Sequence, residues 1–473
     1  MDGLVKHEIA TSVYDRSQCE IGVIHIGFGA FHRAHQAVYI DRYMNETNDL
    51  RWGIAAVNLR PQESDSFASV AQEVAVNDGY FLKAISSDDE VSYQKIRSHV
   101  HFVDWHGQKQ QAEALLSEKS VKLVTITVTE GGYYTNSVGD IDFEHPLMDA
   151  EVNGEKQSSC YAYLREALKQ RYKKGGAPLT IACCDNIRQN GKMLQKNLIA
   201  YLSAFGDDEF VQWVKQNIAF PCSMVDRITP RSSQDLADEF SAMLSKDVKS
   251  PIMCEDFIQW VIADEAKNDM PELGKVDVTV TADVDPYEET KIRVLNGGHT
   301  ATVYLAALLG VKTFDEAMRH PELKDHFDQF ESQEVLPAIT ISLPFSKDSY
   351  LEKTAARFGN KAIGDTVARI CADGMAKFPI FIRPTIEGCF AQSIIPNYSI
   401  RSIASWYVFV RHVAAGKISF DYSEPSWETL QQLIDSDEFF TSKQLWGAVP
   451  ETYPKFIELL REEITKLEAR WPV

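Results

Sequence analysis

The sequence predicts an α/β fold: a doubly wound parallel-sheet domain over residues 1–284, followed by a mostly α-helical domain over residues 285–473. Three observations predict it. Short apolar runs alternate with helical stretches through the first half of the chain. Strand-like runs become scarce after residue 285. One early run ends in a glycine turn that leads straight into a helix. The runs read as strands are Gly22–Ile26, Trp52–Val57, Leu123–Val128 and Leu179–Cys183, each short and mostly apolar, as a sheet buried on both faces requires. Between the last two lies Cys160–Tyr172, where Tyr161, Leu164 and Leu168 recur at helical spacing. The turn Gly175-Gly176-Ala177-Pro178 introduces the strand at Leu179. In the second half, Thr300–Leu309, Lys361–Phe378, Ser402–Ala415 and Tyr453–Trp471 read as helices with apolar stripes. The domain boundary is placed at Asp285-Pro286, where proline marks a chain break.

The chain of 473 residues is 44% hydrophobic and 25% charged, ordinary for a globular protein and long enough for two cores. Its formal net charge of −20 repels phosphate backbones and anionic lipid, so neither nucleic acid nor a membrane surface is an expected partner. The eight cysteines form no Cys-x-x-Cys pair, which suits reduced, buried thiols rather than a zinc ribbon. The start, Met1 to His7, lacks a charged-then-apolar signal pattern, and no apolar run reaches the ~20 residues of a membrane span. A cytoplasmic location is expected.

Ile24-His25-Ile26-Gly27-Phe28-Gly29-Ala30-Phe31-His32-Arg33-Ala34-His35-Gln36 runs from strand through glycine turn to helix. Backbone amides at such a helix start suit a pyrophosphate, so a dinucleotide is the first cofactor to expect. The usual fingerprint wants a third glycine where His32 stands. Arg33 can add positive charge to the amide cradle. His32 and His35 have no companion cluster at metal-ligand spacing, so no metal is expected. Neither a Gly-x-Ser-x-Gly elbow nor a phosphate loop ending in Gly-Lys-Ser/Thr occurs.

Four further segments carry polar residues at places suited to chemistry. Tyr287 to Thr300 reads as a helix start just past the boundary, and on an α-helix Lys291 and His299 differ by about 80°, with Asn296 at the edge of their face. Gly297 and Gly298 would each cost ~1 kcal/mol inside that helix, and close approach of a ligand or another backbone is the usual reason for such glycines. The simpler reading is a surface helix with a solvated lysine and a capping histidine. Ala182 to Gly191 follows a strand, and Asn186 and Asn190 either supply amide donors at the sheet's carboxyl edge or make the turn. Thr127 to Tyr134 carries Glu130 beside paired glycines, and Met224 to Arg231 sets Asp226 beside Arg227 as an internal ion pair or something more.

Together these segments resemble the polyol-specific long-chain dehydrogenase/reductase family, which includes mannitol 2-dehydrogenases, D-arabinitol 4-dehydrogenases and hexuronate reductases such as fructuronate reductase. The motifs that carry the resemblance run in the family's order: Gly27 to Gln36, Thr127 to Tyr133, Cys184 to Asn186, Met224 to Pro230 and Lys291 to His299, with the match spanning Ile24 to at least Pro379. The family itself has histidine at the third-glycine position.

The resemblance implies a Rossmann-type first domain and assigns roles. Lys291 matches the general base of alcohol oxidation. Asn186 and Asn296 match the asparagines that hold the reacting oxygen, and His299 the histidine that orients substrate hydroxyls. Glu130 and Glu288 match acidic residues linked to proton exchange with solvent. Arg369 and Lys377 match basic residues of the substrate pocket, and Asp226 lies at a family position close to the site. The cofactor turn comprises Gly27, Phe28, Gly29, Ala30, Phe31, His32 and Arg33, with Asn58 and Arg60 at the end of the second strand.

The residue types fit the chemistry. A free lysine, with a pKa of ~10.4, is too basic to accept a proton near neutral pH, and desolvation beside a positive nicotinamide lowers it. Asparagine amides donate to a developing alkoxide without adding charge. NAD is the expected cofactor. NADP stays open, because no acid closes the second strand and Arg60 could accept a 2′-phosphate. The expected substrate is mannitol or D-arabinitol, with a hexuronate as the alternative and a catalytically silent dinucleotide sensor as the alternative from another class. Family members are often monomers, and a monomer is expected.

Overall fold

The computed structural model describes residues 8–136 and 139–473; Met1 to His7, read above for a signal pattern, lie outside the described residues. The chain divides into two compact units, one running to Ile85 and from Glu90 to Val284, the other comprising Ser86–Asp89 and Asp285–Val473.

The first unit is built on six strands: β1 (Ile21–Ile26), β2 (Gly53–Asn58), β3 (His99–Asp104), β4 (Leu123–Ile126), β5 (Leu179–Cys183) and β6 (Ile218–Ala219). They lie in the order β3-β2-β1-β4-β5-β6, every pair parallel. This is the doubly wound arrangement, and its order reverses between β1 and β4, where the carboxyl ends of open α/β sheets bind ligands. The strand side chains explain the burial. Ile24 and Ile26 pack with Tyr161, Leu164 and Leu168 of the helix Cys160–Lys173 on one face. Val23 packs with Val38, Tyr39 and Ile40 of the helix Gln36–Thr47 on the other. Alternation therefore supplies two cores from one apolar run.

Two smaller sheets were not expected. Tyr80–Ile85 and Val91–Ile96 form an antiparallel hairpin, flanked by Ile9–Thr11 and Ile252–Glu255. Ser223–Asp226, Gln259–Ala263 and Thr279–Thr281 form the third sheet. Their strands mix polar and apolar residues, as partly covered edges allow, so a search for wholly apolar runs passes over them.

The second unit is helical, and among its described residues the only β pairing is the isolated bridge Thr313–Thr366. Gly297–Leu308 runs through its core, with residues Thr300 to Ala307 all buried. Asn397–Ala414 packs on it and in turn meets Lys455–Arg470. Pro286 lies at the start of the second unit, in the first turn of the helix Asp285–Thr290, where a missing N–H costs nothing. One expectation needs correcting. Lys361–Phe378 is not one helix but two short ones, Val367–Cys371 and Gly374–Lys377. Asp373 between them is left-handed, with φ 62°, and its N–H goes to Ser423 O at 2.9 Å. A Cβ on Gly374 would lie 2.6 Å from Trp406 Nε1, so close packing rather than local propensity sets this break. Among the described residues no helix is long and apolar enough to cross a membrane.

Candidate functional site

In the first unit β1 delivers the glycine turn. Gly27 has φ 94°, and a Cβ there would lie 2.1 Å from Thr127 O, so only glycine fits against the neighbouring strand's exit. A Cβ on Gly29 would meet nothing within 4 Å. The turn is thus closed on its inner side and open on its outer side, as a cradle for a pyrophosphate must be. The helix that follows is only Ala30–Ala34 and stops at His35 before Gln36–Thr47 begins.

The side chains around this turn brace it from within. Phe28 meets Phe67, His99 and Phe102 edge-on, and Phe31 stacks on His35. Arg33 Nη1 donates to Ser250 O at 3.0 Å, and its guanidinium lies 5.3 Å from the Phe28 ring centre. His32 stands where a third glycine would be because it fills a buried slot. It stacks on His25 with ring centres 3.2 Å apart, and its nitrogens meet Gln36 Oε1 at 3.2 Å and His99 Nε2 at 3.0 Å.

Burial, then the neighbouring imidazoles, hold His25, His32 and His99 well below the ordinary histidine pKa. Below about pH 6.5 the unfolded chain therefore takes up protons that the folded chain refuses, and stability falls with pH by up to about 1.4 kcal/mol per pH unit for each neutral imidazole. We expect the thermal midpoint to fall as pH drops from 7.5 to 5.5, and to fall less steeply in His99→Phe. Equal slopes in the two proteins would contradict this account.

Asn58 ends β2. Its Oδ1 accepts from Arg60 N at 3.1 Å, and its Nδ2 donates to Arg60 O at 2.9 Å and Asp104 Oδ1 at 3.2 Å. Arg60 is half-exposed and paired with Glu63 at 3.0 Å. No acid ends β2 itself, but a carboxylate lies beside its end: Asp104 of β3 pairs with Asn58 in register. A search along one strand could not find it, because parallel register belongs to the fold.

Asp185 follows β5 closely. Its carboxylate accepts from Val128 N at 2.9 Å, Thr129 N at 3.0 Å and the Tyr133 hydroxyl at 2.6 Å. Burial pushes its pKa up to about 6 against these donors. Thr129 has φ 65° and ψ 163°, a region nearly reserved for glycine and costing of order 1–3 kcal/mol. Exposed Glu130 comes next and opens the short turn Glu130–Tyr133; exposed Asn186 comes directly after Asp185. Asn190 makes the turn instead of supplying donors: its Nδ2 donates to Asp185 O and Ser223 O, and its Oδ1 accepts from Ser223 N. Asp226 is buried at the end of its strand, and Arg227 donates to Glu255 O and Ala34 O. The central strands β1, β4 and β5 therefore bring the glycine turn, Glu130 and Asn186 to one edge of the sheet.

In the second unit Lys291 is buried, 6% exposed, so the solvated-lysine reading does not hold. The helix carrying it is also not a plain α-helix: Asp285–Thr290 is α, Lys291–Asn296 is π-wound, and Gly297–Leu308 is α again. The α-helical angles used above do not apply across this stretch. Five residues apart on an α-helix, Lys291 and Asn296 would be turned about 140° from each other. A π turn, bonded i to i+5, closes in roughly four to five residues and swings Asn296 back toward the lysine's side. Asn296 Nδ2 is buried with no acceptor among the described residues. His299 is held between Phe358, stacked at 4.0 Å, and Phe314, edge-on at 4.4 Å. Glu288 is buried one turn before the lysine.

The glycine pair answers to packing. A Cβ on Gly298 would lie 2.6 Å from the Phe327 ring and 2.8 Å from Glu331 Oε1, and one on Gly297 3.3 Å from Phe381 O. Arg369 sits on Val367–Cys371, which is tied to the core helix by the Tyr304 hydroxyl donating to Cys371 O at 2.8 Å. Its guanidinium is paired with Asp365 through two nitrogens, which raises its pKa. Lys377 Nζ donates to Ile370 O at 2.8 Å, and burial lowers its pKa.

Comparison with known proteins gives a family. The profile described as Mannitol dehydrogenase Rossmann domain matches residues 21–275, and that described as Mannitol dehydrogenase C-terminal domain matches residues 283–452. The chain is 32% identical to D-arabinitol 4-dehydrogenase of Ralstonia nicotianae, covering 90% of this chain and 92% of the relative. It is 32% identical to mannitol 2-dehydrogenase of Cereibacter sphaeroides, covering 97% and 95%. Among solved structures it matches the Pseudomonas fluorescens mannitol 2-dehydrogenase ternary complex with NAD and D-mannitol at a TM-score of 0.86 and 29% identity, covering 98% of this chain and 94% of that one.

Proposed function

This chain belongs to the mannitol dehydrogenase family, and on that premise we propose that it is an NAD-dependent, metal-independent polyol dehydrogenase that interconverts mannitol and fructose or D-arabinitol and D-xylulose. The observation that carries the reading is a buried lysine on a π turn with an unpartnered, buried asparagine amide at the turn's other end. A lysine taken out of water gives up its proton more easily and can serve as a base near neutral pH. An amide donor kept without a protein acceptor is suited to an oxygen that gains charge.

In this reading the glycine turn, with Phe28 and Ala30 to Arg33 around it, would hold the pyrophosphate of NAD. Asn58 and Arg60 would hold the adenosine ribose. The cofactor supplies the hydride acceptor. Lys291 takes the hydroxyl proton as the carbinol is oxidised and returns it in the reverse direction. Asn186 and Asn296 donate to the oxygen as charge grows. His299, fixed between its two phenyl rings, orients a neighbouring hydroxyl. Glu288 and Glu130 pass the proton on to water. Arg369, Lys377 and Asp226 serve the rest of the substrate.

A spectrophotometric screen of NAD and NADP against mannitol, D-arabinitol, D-sorbitol and hexuronates tests the reading. Turnover of a neutral polyol with NAD, unaffected by a chelator, is the expected result. Reduction of hexuronates alone, or activity that a chelator removes, would overturn it.

A further inference from the structure

We propose that Asp185 is a positioning residue that fixes Glu130 and Asn186 as one unit by clamping the loop after β4. The inference deepens the proposed function and rests on the roles given there to those two residues.

Glu130 lies between two anchors, and both are made on Asp185. Upstream, Val128 N and Thr129 N donate to its two different oxygens. Downstream, the Tyr133 hydroxyl donates to the same oxygen as Val128 N. Between the anchors only Glu130, Gly131 and Gly132 remain: a Cβ on Gly131 would meet nothing within 4 Å, while Gly132 lies against Val128, where a Cβ would come 2.9 Å from its Cγ2, and donates its N–H to Thr129 O at 3.0 Å, so what holds this stretch is itself anchored on the clamped residues. Thr129 shows that the clamp works against local preference. Its φ of 65° with ψ 163° is conformational ground for glycine, yet the residue is a β-branched threonine. Its N–H reaches the carboxylate in that conformation, and the chain then delivers Glu130 directly. On the other side, Asp185 is bonded through the chain to Asn186, and Asn190 Nδ2 fixes the backbone by donating to Asp185 O at 3.0 Å. One carboxylate thus ties the proton-passing carboxyl to an oxygen-holding amide across two adjacent strands. An asparagine cannot replace it, because it offers one acceptor oxygen to donors that need two and turns its own N–H groups against a backbone N–H.

The test compares Asp185→Asn, the double variant Asp185→Asn with Thr129→Gly, and Tyr133→Phe, using the best polyol from the screen. Steady-state kinetics, NADH binding by fluorescence quenching and thermal midpoints are measured for each. Asp185→Asn is expected to lower kcat roughly tenfold or more, with NADH affinity changed by less than about twofold. Glycine at 129 adopts the clamped conformation unaided, so the double variant is expected to regain a substantial part of that loss. Tyr133→Phe leaves the carboxylate in place, keeps the protein folded should Asp185→Asn not fold, and is expected to lose kcat by a smaller factor. A stability loss with wild-type kcat in Asp185→Asn and Tyr133→Phe, or a kcat loss that Thr129→Gly does not relieve, would overturn the clamp. Glu130→Gln and Asn186→Ala separate the two levels. If they turn over at the wild-type rate, the site assignment fails and the clamp with it; if they lose activity while Asp185→Asn keeps it, the clamp alone fails.

Discussion

Lys291→Ala is expected to abolish polyol oxidation near neutral pH while the protein still binds NADH. The lysine side chain is buried on the π-wound stretch Lys291–Asn296. A positioned general base contributes roughly 100- to 10,000-fold, and methyl in place of the amine leaves no group to take the proton. The proposed nucleotide turn lies in the other unit, on Gly27 to Arg33, so quenching of protein fluorescence by NADH should persist. With the base gone, solvent hydroxide is the strongest proton acceptor left, and the residual rate should climb with pH where the parent enzyme levels off. Steady-state rates across pH, with NADH titrations beside them, check all three statements. Wild-type-like rates would remove the base assignment. Loss of NADH binding together with activity would point to a collapsed fold instead.

Much of the sheet was legible because burial on both faces leaves a plain trace. β1, β2, β4 and β5 are almost wholly apolar, and each lies within two residues of its expected position. The hairpin strand Val91–Ile96 left no such trace, since Ser92, Gln94 and Lys95 interrupt it and pairing rather than side-chain pattern defines it. Helix breaks were hidden for a related reason: the break at Asp373 is set by Trp406 and Ser423, which lie far along the chain.

At the candidate site the residue types were legible and their geometry was not. Lys291, Asn296 and His299 stand out in sequence, but the π winding between them does not; the segment lies against Glu331–Val335 and Phe378–Ile382, themselves π-wound and distant in the chain. His32 breaks the glycine fingerprint on paper and completes a buried imidazole stack in space. Asp185 was visible only as the neighbour of Asn186. Its three donors come from Val128, Thr129 and Tyr133, more than fifty residues earlier, and a polar residue after a strand carries no mark of what it will meet.

Asn296→Ala should lower kcat by roughly 100- to 1,000-fold, the effect of removing one donor from a site that stabilises a developing oxyanion. The physical ground is the donor's isolation. Its Nδ2 is buried without an acceptor among the described residues, an arrangement that costs about 1–3 kcal/mol in a folded protein. Alanine removes that cost along with the donor, so the thermal midpoint should hold or rise and not fall. A residue kept only for stability would behave in the opposite way, losing midpoint and keeping rate. Asn296→Asp sharpens the test, because it preserves shape while replacing a donor by an acceptor that repels the growing negative charge. It should be slower than the alanine variant, and NADH affinity should be close to the parent's in both. If instead kcat held and only KM or NADH affinity changed, the amide would be a binding contact, and the charge on the reacting oxygen would have to be met by other donors.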